Sequence, residues 1–357
     1  MTTIIPAPTG SGRVYFVDAL RLIASFQMIN GHTLDAVMLM SIRGGAFYGD
    51  YLWFRGLVSV AFLVVAGIAF HLSTLCRFDK HKADQAAVRH RFTRAGLIIL
   101  VGYFLRIPWG LFGSNAAGSL DRAQQTDILH CIGMTLLMLE GITLLSRRPS
   151  QVQRLAVIGM FVFLLAAPWA DTLIQDGQAH FVLNWFSHQG GSLFPLFPWS
   201  GFVFAGVVIG TVAFPMGGHT SFRRIIAALV LLSLASFAVT FLDGSLGARL
   251  FDTARHHAST NPLFSFEKLS AVLAFLTVLA VLCRPMVRLP RVLATLSRET
   301  LAIYAIHLML LYYPGVAIAR RFDHSLDLAG SFTASLFMLP TTIVLTLLWH
   351  RFKVGRS

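Results

Sequence analysis

The amino-acid sequence predicts an all-α fold, a polytopic helical bundle embedded in a membrane. Three observations carry this. The 357-residue chain is 55% hydrophobic and only 13% charged, with a mean hydropathy of +0.68; an average soluble domain carries about 25% charged residues. Its apolar residues fall into ten runs close to the length of about 20 that crosses a bilayer. Its basic residues collect in alternate loops.

The runs lie near 15–37, 54–75, 92–112, 127–146, 152–170, 196–214, 225–242, 265–283, 299–319 and 332–350. With the N-terminus placed in the cytoplasm, the inner segments hold Arg13, the cluster from Arg77 to Arg94, then Arg147, Arg148 and Arg154. Arg223 and Arg224, the group from Arg284 to Arg298, and Arg351, Lys353 and Arg356 complete them. That is 19 inner basic residues against 6 in outer loops, the distribution expected of ten spans with both termini inside. The same distribution explains the formal charge of +13 and speaks against nucleic acid as a partner. No linker separates domains, so 1–357 is expected to be one membrane domain, with 1–14 as a cytoplasmic N-terminal segment. MTTIIPAPTGSG lacks a basic n-region, and the first run is therefore expected to stay in the mature chain. Cys76, Cys131 and Cys283 show no metal or redox spacing and are expected to be packing residues.

The first run is unlike the others. Arg21, Ser25, His32 and Asp35 are spaced by four, seven and three, which keeps them on one helical face. A membrane helix tolerates such residues only where they face protein or a wet cavity. At 1.5 Å per residue the line extends on the order of 20 Å, with Arg21 toward the cytoplasm and His32 and Asp35 in the outer half. An imidazole oriented by a carboxylate three residues on has the make-up of a general base. The competing structural reading is a histidine satisfied by a backbone carbonyl or a neighbouring helix.

Other spans carry polar groups at similar depth. Asp127 and His130 open the fourth run, Arg55 and Arg106 lie at outer ends of the second and third, and His307 sits deeper in the ninth. Together with His32 and Asp35 they are candidates for one extracytoplasmic pocket. Their structural readings are interfacial snorkelling for the arginines, a helix cap for Asp127 and His130, and a packing hydrogen bond for His307. No HxxxH, HExxH or GxxxxGK[ST] pattern occurs, so neither a metal nor ATP-driven transport is assigned. GVVIG at 206–210 is a GxxxG match that packs helices within a chain as readily as between chains.

Five segments, VDALRLIASFQMINGH at 17–32, FLVVAGIAF at 62–70, QTDILHCIGMTLL at 125–137, LFPLFPWSGFVFAGVVIG at 193–210 and LSRETLAIYAIHLMLLY at 296–312, follow one another in a familiar order. The chain in this respect resembles the bacterial membrane proteins related to heparan-α-glucosaminide N-acetyltransferase. The resemblance implies a transmembrane acyltransferase of the bacterial cytoplasmic (inner) membrane. Such a protein takes an acyl group, usually acetyl from cytosolic acetyl-CoA, to an acceptor on the far side, typically a sugar. It carries the family's first-helix histidine onto His32 and its aspartate and arginine onto Asp18 and Arg21. Animal lysosomal members have a further histidine before the second span, and GGAFYGDYLW has none.

Acyl transfer from a thioester needs a base for the acceptor and donors for the developing oxyanion. His32 oriented by Asp35 is the expected base, and Asn30, Arg55 or Trp199 the expected donor. RHRFTRAG at 89–96, through Arg91 and Arg94, together with Arg21, offers a basic cytoplasmic mouth for the donor's phosphates, although positive-inside anchoring accounts for the same arginines. Two other classes stay open at this point. A proton-coupled secondary transporter would use His32 and Asp35 as a relay, and a non-catalytic component of an export assembly would need only the helices.

Overall fold

The computed structural model describes residues 4–5, 14–107, 122–174, 180–216, 220–241, 258–286, 289–313 and 316–355. The described chain is all-α apart from one two-residue antiparallel pairing, β1 Ile4–Ile5 with β2 Thr220–Ser221. Its helices are α1 Tyr15–Val37, α2 Ala46–Ser73, α3 Phe78–Ala83, α4 Gln85–Leu105, α5 Ile128–Leu145, α6 Pro149–Leu165 and α7 Ala167–Ala170. They continue with α8 Leu196–Ala213, α9 Phe222–Thr240, α10 Pro262–Leu282, α11 Arg291–Leu296, α12 Thr300–Tyr312, α13 Ile318–Phe322 and α14 Leu328–Val354.

Each of the ten apolar runs overlaps at least one of these helices. Among the described residues six helices are long and apolar enough to cross a membrane, and a seventh crossing results if α6 and the bent segment after it, 55° apart, count as one. The expected ten is larger for physical reasons. α1 is diluted by its own polar line, α4 begins in the basic stretch QAAVRHRFTR, and α12 has only 13 residues. Residues 108–112 of the third run lie outside the described residues.

Helix starts follow side-chain chemistry. Asp84 caps α4 by accepting from Ala87 N–H at 3.0 Å, Ser221 caps α9 by accepting from Arg224 N–H at 3.3 Å, and Asp327 caps α14 by accepting from Gly330 N–H at 2.7 Å.

The chain forms two compact units: Val14–Phe62 with Leu282–Ser357, and Leu63–Val281 with the N-terminal strand. In the first, α1 packs against α12, α13 and α14. Beyond the C-terminal end of α1, Leu39 N–H donates to Leu326 O at 2.9 Å and Leu326 N–H donates to Val37 O at 3.0 Å. Arg43 gathers the carbonyls of Asp35 and Met38 there, and its Nη2 lies 3.0 Å from His324 Nδ1. Toward the opposite end, Arg21 donates to Ser297 O and to Asp18, each at 3.3 Å. Glu299 Oε1 accepts from His350 at 2.9 Å and from Lys353 at 3.0 Å, tying the start of α12 to the last turns of α14.

In the second unit α4 packs on α5, and α6 on α8, which also touches α5 and α9. The C-terminal part of α2 crosses α8 backbone to backbone. A Cβ on Gly67 would overlap Val203 O and stand 2.8 Å from Gly206 Cα, and one on Gly206 would overlap Val64 O in return. One turn on, a Cβ on Gly210 would meet His71 Cβ at 2.7 Å. The GxxxG pair is thus spent inside the chain. Close backbone approach of this kind drives helix association where lipid removes the hydrophobic incentive.

Because the atoms a new methyl would strike at this crossing are backbone, Gly67→Ala and Gly206→Ala are each expected to cost about 1–3 kcal/mol. Thermal unfolding in detergent reads this, and melting like the unaltered protein would rule out the crossing. A second expectation concerns Glu299. Its carboxylate accepts from His350 and Lys353, so Glu299→Gln, which keeps the shape and removes the charge, should lower the melting temperature; unchanged melting would mean that the bond cluster contributes nothing.

Candidate functional site

The helical spacing of α1 does place its polar residues along one packed face. Ser25 is fully buried and returns its hydroxyl to Arg21 O at 2.8 Å, as Thr33 does to Ile29 O at 2.7 Å. Asn30 accepts from Ser335 of α14 at 2.8 Å through Oδ1 and donates to Gln27 at 3.4 Å.

Asp35 is the electrostatic centre of this face. Its Oδ1 accepts from Arg55 Nη1 at 2.5 Å and from Tyr48 hydroxyl at 3.2 Å, both on α2. The expected contact with His32 is not what the structure forms: among the described residues the carboxylate's side-chain partners are Arg55 and Tyr48. A guanidinium held against a carboxylate gives a charge-assisted bond that a neutral imidazole cannot match. Gly31 makes room for the pair, because a Cβ there would lie 2.9 Å from Arg55 Cδ. Tyr48, Tyr51 and Arg55 are spaced by three and four in YGDYLWFR, a one-face signal like that of α1 that the sequence reading left unused.

The half-buried His32 looks instead across to α12. Its ring centroid is 5.4 Å from that of His307, with the planes 39° apart. His307 is fully buried, its Nδ1 lies 2.8 Å from Ile303 O, and Tyr304 stands edge-on to it at 5.6 Å. His307 Nε2 has no hydrogen-bond partner among the described residues. His32, Asp35, Asn30, Arg55 and His307 all belong to the unit built on α1, as does Arg21, which joins Asp18 to Ser297.

The other candidates lie in the Leu63–Val281 unit. Asp127 and His130 form a capping box at the start of α5, with Asp127 N–H donating to His130 Nδ1 at 3.0 Å. Arg106 is 3.9 Å from Asp127 and donates to Gln125 at 2.9 Å. The buried His130 ring is met by Tyr103 at 4.1 Å and Trp185 at 5.7 Å. Trp199 indole N–H donates to His188 Nε2 at 3.1 Å, and His188 Nδ1 stands 3.6 Å from Asp171. Asp171 also accepts from His188 N–H at 2.7 Å and from Ser187 hydroxyl at 3.0 Å, so this acid organises the loop that leads to Trp199. Nothing in the spacing of DTLIQDGQAHFVLNWFSHQ marks Asp171 as that organiser. Arg91 lies over the Phe70 ring at 5.9 Å and feels Glu140, whereas Arg94 is exposed. Glu140 itself is buried against His81 at 2.5 Å.

These features define a helical integral membrane protein whose first helix carries a polar face that includes a half-buried histidine. Residues 13–240 match the family described as heparan-alpha-glucosaminide N-acetyltransferase, catalytic, and the chain belongs to that family. The match contains four of the five segments noted in the sequence and ends before the fifth, in which His307 lies. A search of curated proteins finds no match. Family membership favours acyl transfer over proton-coupled transport.

The Asp35–Arg55 pair can be tested by a double-mutant cycle with Asp35→Asn and Arg55→Leu. The pair is half-buried and charge-assisted, so a coupling of about 1–3 kcal/mol is expected in denaturant unfolding. Additive effects would mean that the two side chains do not depend on each other.

Proposed function

We propose that the protein transfers an acetyl group from cytosolic acetyl-CoA to a hydroxyl or amine of an acceptor, a glycan, on the far side of the membrane, with His32 as general base. One observation carries this reading: within the stretch that matches the catalytic family, His32 is a half-buried imidazole on the polar face of the helix whose Asp35 holds the Arg55 guanidinium. In the reaction the acceptor's proton passes to His32 as its oxygen or nitrogen attacks the thioester carbonyl. The carbonyl oxygen develops negative charge, which Arg55 or Asn30 is proposed to meet. The carbon–sulfur bond then breaks, and the thiolate leaves with the proton from His32, so that one ester or amide and one CoA thiol result.

The proposed setting is the cytoplasmic membrane of a bacterium, with ten crossings, both termini in the cytoplasm and the whole chain acting as one acyltransferase domain. Within the α1 unit, Asn30, Arg55 and His307 are proposed to face the acceptor and Arg21 the donor's phosphates. Within the other unit, acceptor contacts are proposed for Arg106, Asp127, His130 and Trp199, and donor contacts for Arg91 and Arg94. Of these two arginines, the exposed Arg94 is the better placed to meet a phosphate, because Arg91 already lies on Phe70.

Purified protein in detergent should bind acetyl-CoA saturably, in the unaltered form and in His32→Ala alike. Loss of the base is expected to lower thioester turnover by about 10²–10⁴-fold. Turnover unchanged in His32→Ala would remove the proposed base, and absence of binding in both forms would remove the donor.

A further inference from the structure

The apolar helix α10 carries one lysine, and that lysine is inside the protein. Lys268 is 7% exposed, with Ser265, Leu269 and Val272 buried beside it on the same side of the helix. A lysine that had snorkelled to the membrane surface would be open to water, which this one is not. We propose that Lys268 and Ser265 form a binding site for a phosphate group. The site belongs wholly to the Leu63–Val281 unit and goes beyond the acyl-transfer reading, since it makes no use of His32.

The ammonium is poorly compensated where it stands. Its Nζ lies 4.4 Å from the centre of the Phe264 ring, one turn earlier, and among the described residues no oxygen accepts a hydrogen bond from it or pairs with it as an ion. Glu267, its chain neighbour, acts on it electrostatically without forming an ion pair with it. A ring face attracts a cation but offers no lone pair in the plane of its atoms to three N–H groups. A cation kept in an apolar span without hydrogen bonds is unfavourable, and such residues mark the place where a charged partner is received.

Ser265 supplies the second donor. It is 1% exposed and three residues before Lys268, a spacing that sets the two Cβ atoms about 5–6 Å apart on one helical face. The neighbouring serines return their hydroxyls to backbone: Ser270 donates to Glu267 O at 3.0 Å, and Ser233 of α9 donates to Ser270 O at 2.9 Å. The Ser265 hydroxyl has no such partner among the described residues. An ammonium and a hydroxyl on successive turns suit a group whose acceptor oxygens diverge, so that each donor meets its own oxygen, and Lys and Ser are side chains through which proteins hold phosphate. The single charge of Lys268 matches that of a phosphodiester. Ser265 also stands in the first turn of the 21-residue α10, where the helix dipole favours an anion.

The experiment uses the purified full chain in an uncharged detergent, unaltered and as Lys268→Met and Ser265→Ala, with binding followed by native mass spectrometry and folding by thermal unfolding. The probes are inorganic phosphate, acetate at the same ionic strength, and phosphatidylglycerol beside diacylglycerol, a lipid without phosphate. Saturable binding of inorganic phosphate would mark a soluble ligand, and binding of phosphatidylglycerol but not of diacylglycerol a lipid headgroup; one of the two is expected. Lys268→Met removes an uncompensated charge from an apolar helix, so it should stay folded and weaken that binding about a hundredfold. Ser265→Ala should weaken it about tenfold. Binding unchanged in Lys268→Met, acetate held as tightly as phosphate, or no binding of either phosphate probe would overturn the proposal. If Lys268→Met fails to fold, Ser265→Ala decides alone: about tenfold weaker binding supports the site, and unaltered binding overturns it.

Discussion

Inside a bilayer a polar side chain has to find its partner within the protein, and the architecture around α1 follows from that constraint. Ser25 and Thr33 satisfy themselves on the preceding turn of their own helix, which binds them to no neighbour. Asn30 and Asp35 cannot do this, and each recruits another helix: Ser335 of α14 for Asn30, Tyr48 and Arg55 of α2 for Asp35. Arg43 collects the carbonyls that the C-terminal end of α1 would otherwise leave bare. The polar line thereby sets which helices stand beside α1 and at what height, a specificity that uniformly apolar faces cannot supply.

The same constraint separates two kinds of polar group. Asp35 and Arg55 neutralise each other and are fixed, whereas His32 and His307 carry imidazoles, a kind of group that can exchange a proton. Chemistry on a thioester needs both kinds, a permanent dipole to meet an oxyanion and a titrating group to carry a proton. The family match covers the helix that bears His32.

Much of this was legible in the sequence because it depends on periodicity. The one-sided spacing of Arg21, Ser25, His32 and Asp35, the positions of the helices and the i, i+3 capping of Asp127 and His130 all follow from residues close together in the chain. What spacing could not settle was competition between partners. Asp35 had His32 three residues away and Arg55 twenty away, and the guanidinium won on charge. His307 could be recognised as polar and deep, but its facing His32 depends on how α12 packs against α1, which no local pattern encodes. The GxxxG pair likewise carries no mark of its partner until Gly67 is seen beneath it.

Gly31 gives the polar face an evolutionary consequence. With Arg55 Cδ only 2.9 Å from where a side chain would begin, the sizes of positions 31 and 55 are not independent variables. Growth at 31 displaces the Arg55 guanidinium and takes from the Asp35 carboxylate its charged partner, so a larger residue is best accommodated together with a shorter one at 55 and an uncharged one at 35. Across related chains these three positions should drift as a set: glycine, arginine and aspartate retained together, or exchanged together for a neutral, better-filled contact.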